Sequence, residues 1–314
     1  MRQLFNQEIL YGIYSKTYLY IILLLVSLFV IVSYVNYSAV MNTYNDFQRT
    51  EKFYQENDLN IEEDLAGEHD VENQGDLEVI TNPIHYHKEM VSQFIYTASP
   101  KYALTQFLES AFLYFPIVFG TIGLLIAVVD LKYKTIKLKT VRENKKKFGL
   151  AKQVSLLTSG LFILMMSLII AYLINYLFYV RITNAIPISE FQLSLSNIES
   201  SSSLFLKFIF AYAVSVLFMN IGYTLGILFK NIYLGMILIV VYTFVIPSSY
   251  TVLDIKNSLH YIGVRLFDFH GVLAIDYPKD GTTLITSILV LLCATIIPFI
   301  INMIIVNKRS SFET

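Results

Sequence analysis

A single cysteine, Cys293, the absence of tryptophan and a charged fraction of only 15% set the first limits on this 314-residue chain. One cysteine forms no internal disulfide and offers no CxxC metal or redox motif. Charged residues usually supply about a quarter of a soluble domain, so their scarcity argues against an ordinary water-soluble core. No GxxxxGK[ST] segment occurs, which excludes ATP binding by a phosphate loop of that kind. No HExxH spacing occurs either, and no pair of reactive side chains falls at equal depth in the apolar runs, as a membrane-embedded enzyme requires.

What remains is apolar. The hydrophobic set makes up 55% of the chain, and mean hydropathy is +0.57. A bilayer core of about 30 Å needs about 20 apolar residues as helix, and six runs approach that length: 17–35, 103–129, 154–180, 205–229, 233–249 and 284–306. The first run resembles a signal peptide in following Arg2 and Lys16. It lacks a small-x-small cleavage site after Val35, so it is read as a retained helix.

Cytoplasmic connections keep Lys and Arg. With the N-terminus inside, the inner segments hold 14 basic and 4 acidic residues, whereas the outer segments hold 9 and 20. The expectation is an all-α integral membrane protein with six transmembrane helices and both termini in the cytoplasm. Segment 1–16, with Phe5, Ile9 and Ile13 recurring every four residues and Glu8 elsewhere, forms an interfacial helix. Segment 36–102 is a long extracytoplasmic loop with 13 acidic residues. Tyr44, Phe47 and Tyr54 continue the first helix outward as an amphipathic rod, and the stretch from Glu56 to Glu78 reads as weakly structured. Segment 130–153 is a basic cytoplasmic loop, 181–204 an outer loop, 230–232 an inner turn and 307–314 a cytoplasmic tail. The apolar outer segment 250–283 forms short helices at or dipping into the interface.

The stretch from Gly123 to Lys152 carries a resemblance. An apolar helix ends at Asp130, Thr135-Ile136-Lys137 follows, then the run Lys145 to Lys147, and Lys152 opens the next span. With the six-run layout and the turn from Met219 to Gly235, this resembles the ABC-2 type permeases, the membrane-spanning subunits of ABC exporters. Lys134 stands where that family has a glycine. The resemblance implies a separate ABC ATPase subunit carrying ATP and Mg, a second copy or a paralogue to complete a pathway, and a place in the cytoplasmic membrane. It also implies that a helix in the basic loop docks on the ATPase.

Leu138, Val141, Lys145 and Phe148 fall on one helical face with Lys146 and Lys147 beside them, and these six are the expected coupling residues. The same cations also serve to fix topology and to meet anionic lipid. Glu109, an ionisable group at membrane depth, is a pathway candidate or a group that snorkels to the interface. Asn175, Asn220 and Asn302 either bond between helices or line the pathway. Pro116, Pro247 and Pro298 are expected to kink their spans. His85 and His87 would share one side of a strand, near His69 in the same loop, and are read as solvated rather than metal-bound. No catalytic group, resident cofactor or nucleic-acid partner is expected. The 46 Tyr and Phe residues suit hydrophobic or amphipathic cargo, such as a peptide, an antibiotic or a lipid. A membrane sensor or an assembly or resistance subunit is the alternative.

Overall fold

The computed structural model describes residues 2–67, 69–74, 77–132, 144–191, 202–246, 251–267, 269 and 279–308. Among them the chain is helical apart from one antiparallel hairpin. Helix α1 (Arg2–Tyr14) is followed by α2 (Thr17–Glu56) and α3 (Ile61–Ala66). Strands β1 (Val71–Gln74) and β2 (Leu77–Ile80) then pair in register Val71 with Ile80. Helices α4 (Pro83–Thr97), α5 (Pro100–Glu109), α6 (Phe115–Lys132) and α7 (Lys145–Ala185) follow. The chain continues through α8 (Leu204–Phe229), α9 (Ile232–Val240), α10 (Ile255–Leu266) and α11 (Leu284–Lys308).

Among the described residues, four helices are long and apolar enough to cross a membrane: α2, α7, α8 and α11. A fifth span is formed if Pro100–Phe112 and Phe115–Val129 count together, but they meet at 64°. The expected span over 103–129, with its expected bend near Pro116, is therefore broken into two helices. Pro116 lies in the first turn of α6, where its missing N–H costs nothing, whereas a continuous helix would set its ring against the residue 112 carbonyl. Pro298, by contrast, lies inside the continuous α11. Pro247 lies outside the described residues. The expected fifth span is represented by Ile232–Val245, a shorter apolar helix whose last turn, Val241–Val245, is π-helical.

The chain divides into two compact bodies. The first comprises Met1–Val26, Thr105–Leu168 and Ser200–Thr314. Its centre is the crossing of α6 and α8, where the backbones approach too closely for side chains. A Cβ on Gly222 would overlap the Gly120 carbonyl, and one on Gly123 would overlap the Met219 carbonyl. Small residues at such a crossing allow the van der Waals contact that drives helix association where no water is present. At the far end of α8, Lys230 takes the left-handed conformation (φ 53°) and Asn231 caps α9, its side chain accepting from the Tyr233 N–H at 2.8 Å. Only 6% of the most apolar window of α11 is buried, so that surface is left for lipid or another helix.

The second body comprises Ser27–Leu104 and Ile169–Glu199. Helix α2 does continue beyond its apolar run: in its C-terminal half Val40 is buried with Val91, Ile95, Ala98, Ile182, Ile186 and Phe191. Tyr44 and Phe47 pack edge-on to Phe191 with ring centroids 5.8 and 5.2 Å away. Two sequence expectations differ here. The stretch read as weakly structured contains α3, because the Asn60 side chain accepts from the Glu63 N–H and donates to the Glu63 carboxylate, a reciprocal cap. The histidines expected on a strand lie on α4, started by Asn82 as N-cap with Pro83 at the first helical position. On a helix His85 and His87 diverge, while His85 and Glu89 share a face.

Candidate functional site

In the first body, α1 packs through Leu4, Glu8 and Gly12 rather than presenting Glu8 to water. The Glu8 carboxylate pairs with the Lys152 ammonium, and their side chains are 6% and 3% exposed. Lys152 also lies 3.4 Å from the Ile126 carbonyl of α6 and 5.7 Å from the centroid of the Phe148 ring. A charge pair taken out of water persists only when its remaining hydrogen-bonding capacity is met, and here α1, α6 and α7 all contribute. Lys16, left-handed at φ 57°, lies in the turn between α1 and α2, across which Gly12 sits against the Tyr18 ring. A cavity of about 30 Å³ bounded by Glu8, Tyr18, Ile122 and Lys152 adjoins the pair. A groove of about 440 Å³ lies on the other face of α1, lined by Phe5, Ile9, Ile13, Tyr18, Ser159 and Phe162. The apolar stripe read from the sequence thus lines this groove.

The expected coupling residues divide. Leu138 and Val141 lie outside the described residues. Lys145, Lys146 and Lys147 form the first turn of α7, not a loop preceding it, with Asn144 accepting from the Lys146 N–H at 3.0 Å. Lys146 and Lys147 are exposed, but Phe148 is buried at 4% exposure. Phe148 therefore cannot offer an apolar edge to a partner; it packs with the Lys152 face of α7. Leu150, more than a third exposed, is the apolar neighbour of the lysines on the open side.

Glu109 is fully buried and ends α5, one 3-10 turn (Ser110–Phe112) before the break in the span. Beyond it Phe112 stacks on Phe210 at 5.5 Å and meets Phe267 edge-on at 5.7 Å. Buried Lys207 sits 5.6 Å from the Phe267 centroid. The sequence reading missed Lys207, which looked like an ordinary residue at a helix start. Asn302 accepts from the Thr224 hydroxyl at 2.9 Å, joining α11 to α8. Asn220 donates to the Val216 carbonyl of its own helix at 3.0 Å. Asn175 lies in the second body, buried at 1% exposure, with its Oδ1 lacking a hydrogen-bond partner among the described residues.

At the other end of the first body, α10 holds the π-helical turn. Lys256 donates to the carbonyls of Thr243 (2.9 Å) and Ile246 (2.5 Å) and lies over the Tyr242 ring. The Tyr242 hydroxyl in turn donates to Asp254, the N-cap of α10, at 3.0 Å. The C-terminal end of such a turn leaves carbonyls without their usual partners, and the Lys256 ammonium of α10 satisfies two of them.

In the second body, Tyr54 is buried, and burial together with the Asp64 carboxylate raises its phenol above the ordinary value. Burial lowers the His87 imidazole, with Asp46 opposing the shift. His69, His85 and Glu89 bring their ligand-capable atoms within 4.8 Å of one another.

No family model matches the chain, and no match is found among curated proteins or solved structures.

Proposed function

We propose that this protein is the membrane-spanning subunit of an ABC-type exporter, with six spans and both termini in the cytoplasm, driven by a separate ATPase subunit. The observation that carries the reading is the buried Glu8–Lys152 pair. It ties the N-terminal helix to α7 seven residues after the exposed basic turn begins at Lys145. A push on that turn from the cytoplasm would reach α1, α6 and α7 together, since all three converge on Lys152.

In this reading Lys146, Lys147 and Leu150 face the ATPase, combining electrostatic steering with a small apolar contact. Ile232–Val245 is the fifth span, completed across the bilayer by the segment held by Lys256. The uncovered face of α11 meets lipid or a second copy. ATP drives the cycle by binding the two conformations of the complex with different affinity. Buried Glu109, one turn before the break of the second span, is the pathway group of this reading.

A second reading has its own observation. The body built on Val40, Val91 and Phe191 has a core of its own, formed by the C-terminal parts of α2 and α7 together with α4, as a membrane sensor that binds a ligand outside the cell would need. Reconstitution of chain and ATPase in vesicles separates the two. ATP-dependent movement of amphipathic peptide or lipid probes supports export, and ligand binding without flux in a complex that hydrolyses ATP supports the sensor.

A further inference from the structure

We infer that His69, His85 and Glu89 form a binding site for one Zn²⁺-class divalent ion on the second body. His69 Nδ1 lies 3.2 Å from His85 Nδ1 and 3.5 Å from a Glu89 carboxylate oxygen. In a tetrahedral zinc site with bonds of about 2.0–2.1 Å, ligand atoms are separated by about 3.3–3.4 Å. Two edges of the triangle already have that length, and the third, from His85 to Glu89, is no more than 4.8 Å. It spans four residues on one helical face.

The three groups are brought together by backbone structure rather than by chance side-chain reach. Asp70 and Thr81 close the base of the hairpin: the Asp70 N–H donates to the Thr81 hydroxyl at 2.9 Å and the Thr81 N–H to the Asp70 carbonyl at 3.1 Å. Asn82, next in the chain, accepts from the His85 N–H at 3.3 Å and donates to the Asp64 carbonyl at 2.5 Å. His69 is thus set beside the first turn of α4, its ring edge-on to those of His85 and Tyr86.

Protons alone serve this arrangement poorly. If His69 Nδ1 carries a proton, that one proton must serve both His85 and Glu89. If it does not, its lone pair faces the carboxylate. A cation at the common point satisfies all three atoms at once. Two imidazoles and one carboxylate suit zinc or copper rather than calcium or magnesium, which favour all-oxygen shells. The His69 and Glu89 side chains are 21% and 51% exposed, which leaves the fourth position open to water. The surrounding segment 36–102, with 13 acidic and 4 basic residues, attracts cations to it.

The test is calorimetric titration of the full-length chain, purified on a histidine-free tag, stripped with chelator and held in nanodiscs. ZnCl₂ is the probe, and metal content is measured after desalting. One zinc per chain is expected. Affinity should fall at least about 10-fold in His69→Ala, His85→Ala and Glu89→Gln, the scale on which even supporting groups of metal sites act. Glu89→Gln is the isosteric variant at an exposed position, so its effect is not a folding defect. His87→Ala should bind as the wild type does, and excess CaCl₂ should not displace zinc. Absence of stoichiometric zinc, wild-type affinity in any of the three ligand variants, or displacement by calcium would overturn the site. The inference stands apart from export, since no step of the titration involves an ATPase or cargo.

Discussion

Glu8 and Lys152, 144 residues apart in the chain, form a salt bridge from which water is almost wholly excluded. Removing one member leaves a buried charge without its counter-ion, which costs about 3–5 kcal/mol, whereas replacing both by apolar groups of similar size is often neutral. Glu8→Gln and Lys152→Met should each lower the thermal midpoint of the detergent-solubilised protein, and Glu8→Leu with Lys152→Met should recover most of it. Equal losses in single and double variants would show that the pair is not coupled.

The α6–α8 crossing is expected to reject any side chain. Gly222→Leu should prevent recovery of folded protein, and Gly222→Ala should lower the thermal midpoint measurably, because the Gly120 carbonyl occupies the position of the new Cβ. Normal yield and stability for Gly222→Leu would contradict the close approach.

Lys256→Met should destabilise the π-helical turn by about 1 kcal/mol, the usual net contribution of a hydrogen bond, since the Thr243 contact is only partly buried and the Ile246 contact is exposed. Hydrogen exchange over 241–246 should accelerate while exchange in α8 is unchanged. Unaltered exchange in that turn would mean that other donors hold it.

Topology can be checked with the one native cysteine removed. In a Cys293→Ser background, Glu62→Cys should react with an impermeant thiol reagent in intact cells. Lys146→Cys should react only after permeabilisation. Both positions are exposed in the fold, so the reversed pattern would place the acidic segment inside.

Glu109→Gln keeps the shape of the side chain and removes its ionisable group. If the buried carboxylate serves the pathway, vesicle flux should fall several-fold at an unchanged level of folded protein. Wild-type flux would assign Glu109 a structural role at the break of the span.

Long-range hydrophobic and charge patterns were legible in the sequence, because lipid demands them over whole segments. The apolar runs mark α2, α7, α8 and α11, and Tyr44 and Phe47 mark the continuation of α2. Two local signals were present and underweighted: Asn60 with Glu63 three residues on, and Asn82-Pro83, both of which start helices. Reading α4 as helix makes His85 and Glu89 neighbours, but nothing local to His69 reveals that a hairpin returns it to them. Glu8 escaped for the same reason. Helical periodicity identifies an apolar face, while the partner that makes a charge buriable lies in another helix. Phe148 shows the converse, since an apolar residue among lysines is as consistent with a buried first turn as with an exposed edge.

The proposed function requires an ATPase that grips the turn at Lys145–Lys147. Its most direct test is affinity capture of the full-length chain from its native membranes, with the captured subunits identified and ATP hydrolysis measured in the eluate. The account predicts a co-eluting subunit that contains a GxxxxGK[ST] motif and hydrolyses ATP. Recovery of that subunit should fall in the Lys145→Gln, Lys146→Gln, Lys147→Gln variant and fall further as salt is raised. A chain that elutes without any ATP-hydrolysing subunit, or one whose ATPase is retained undiminished by the triple variant, would contradict it.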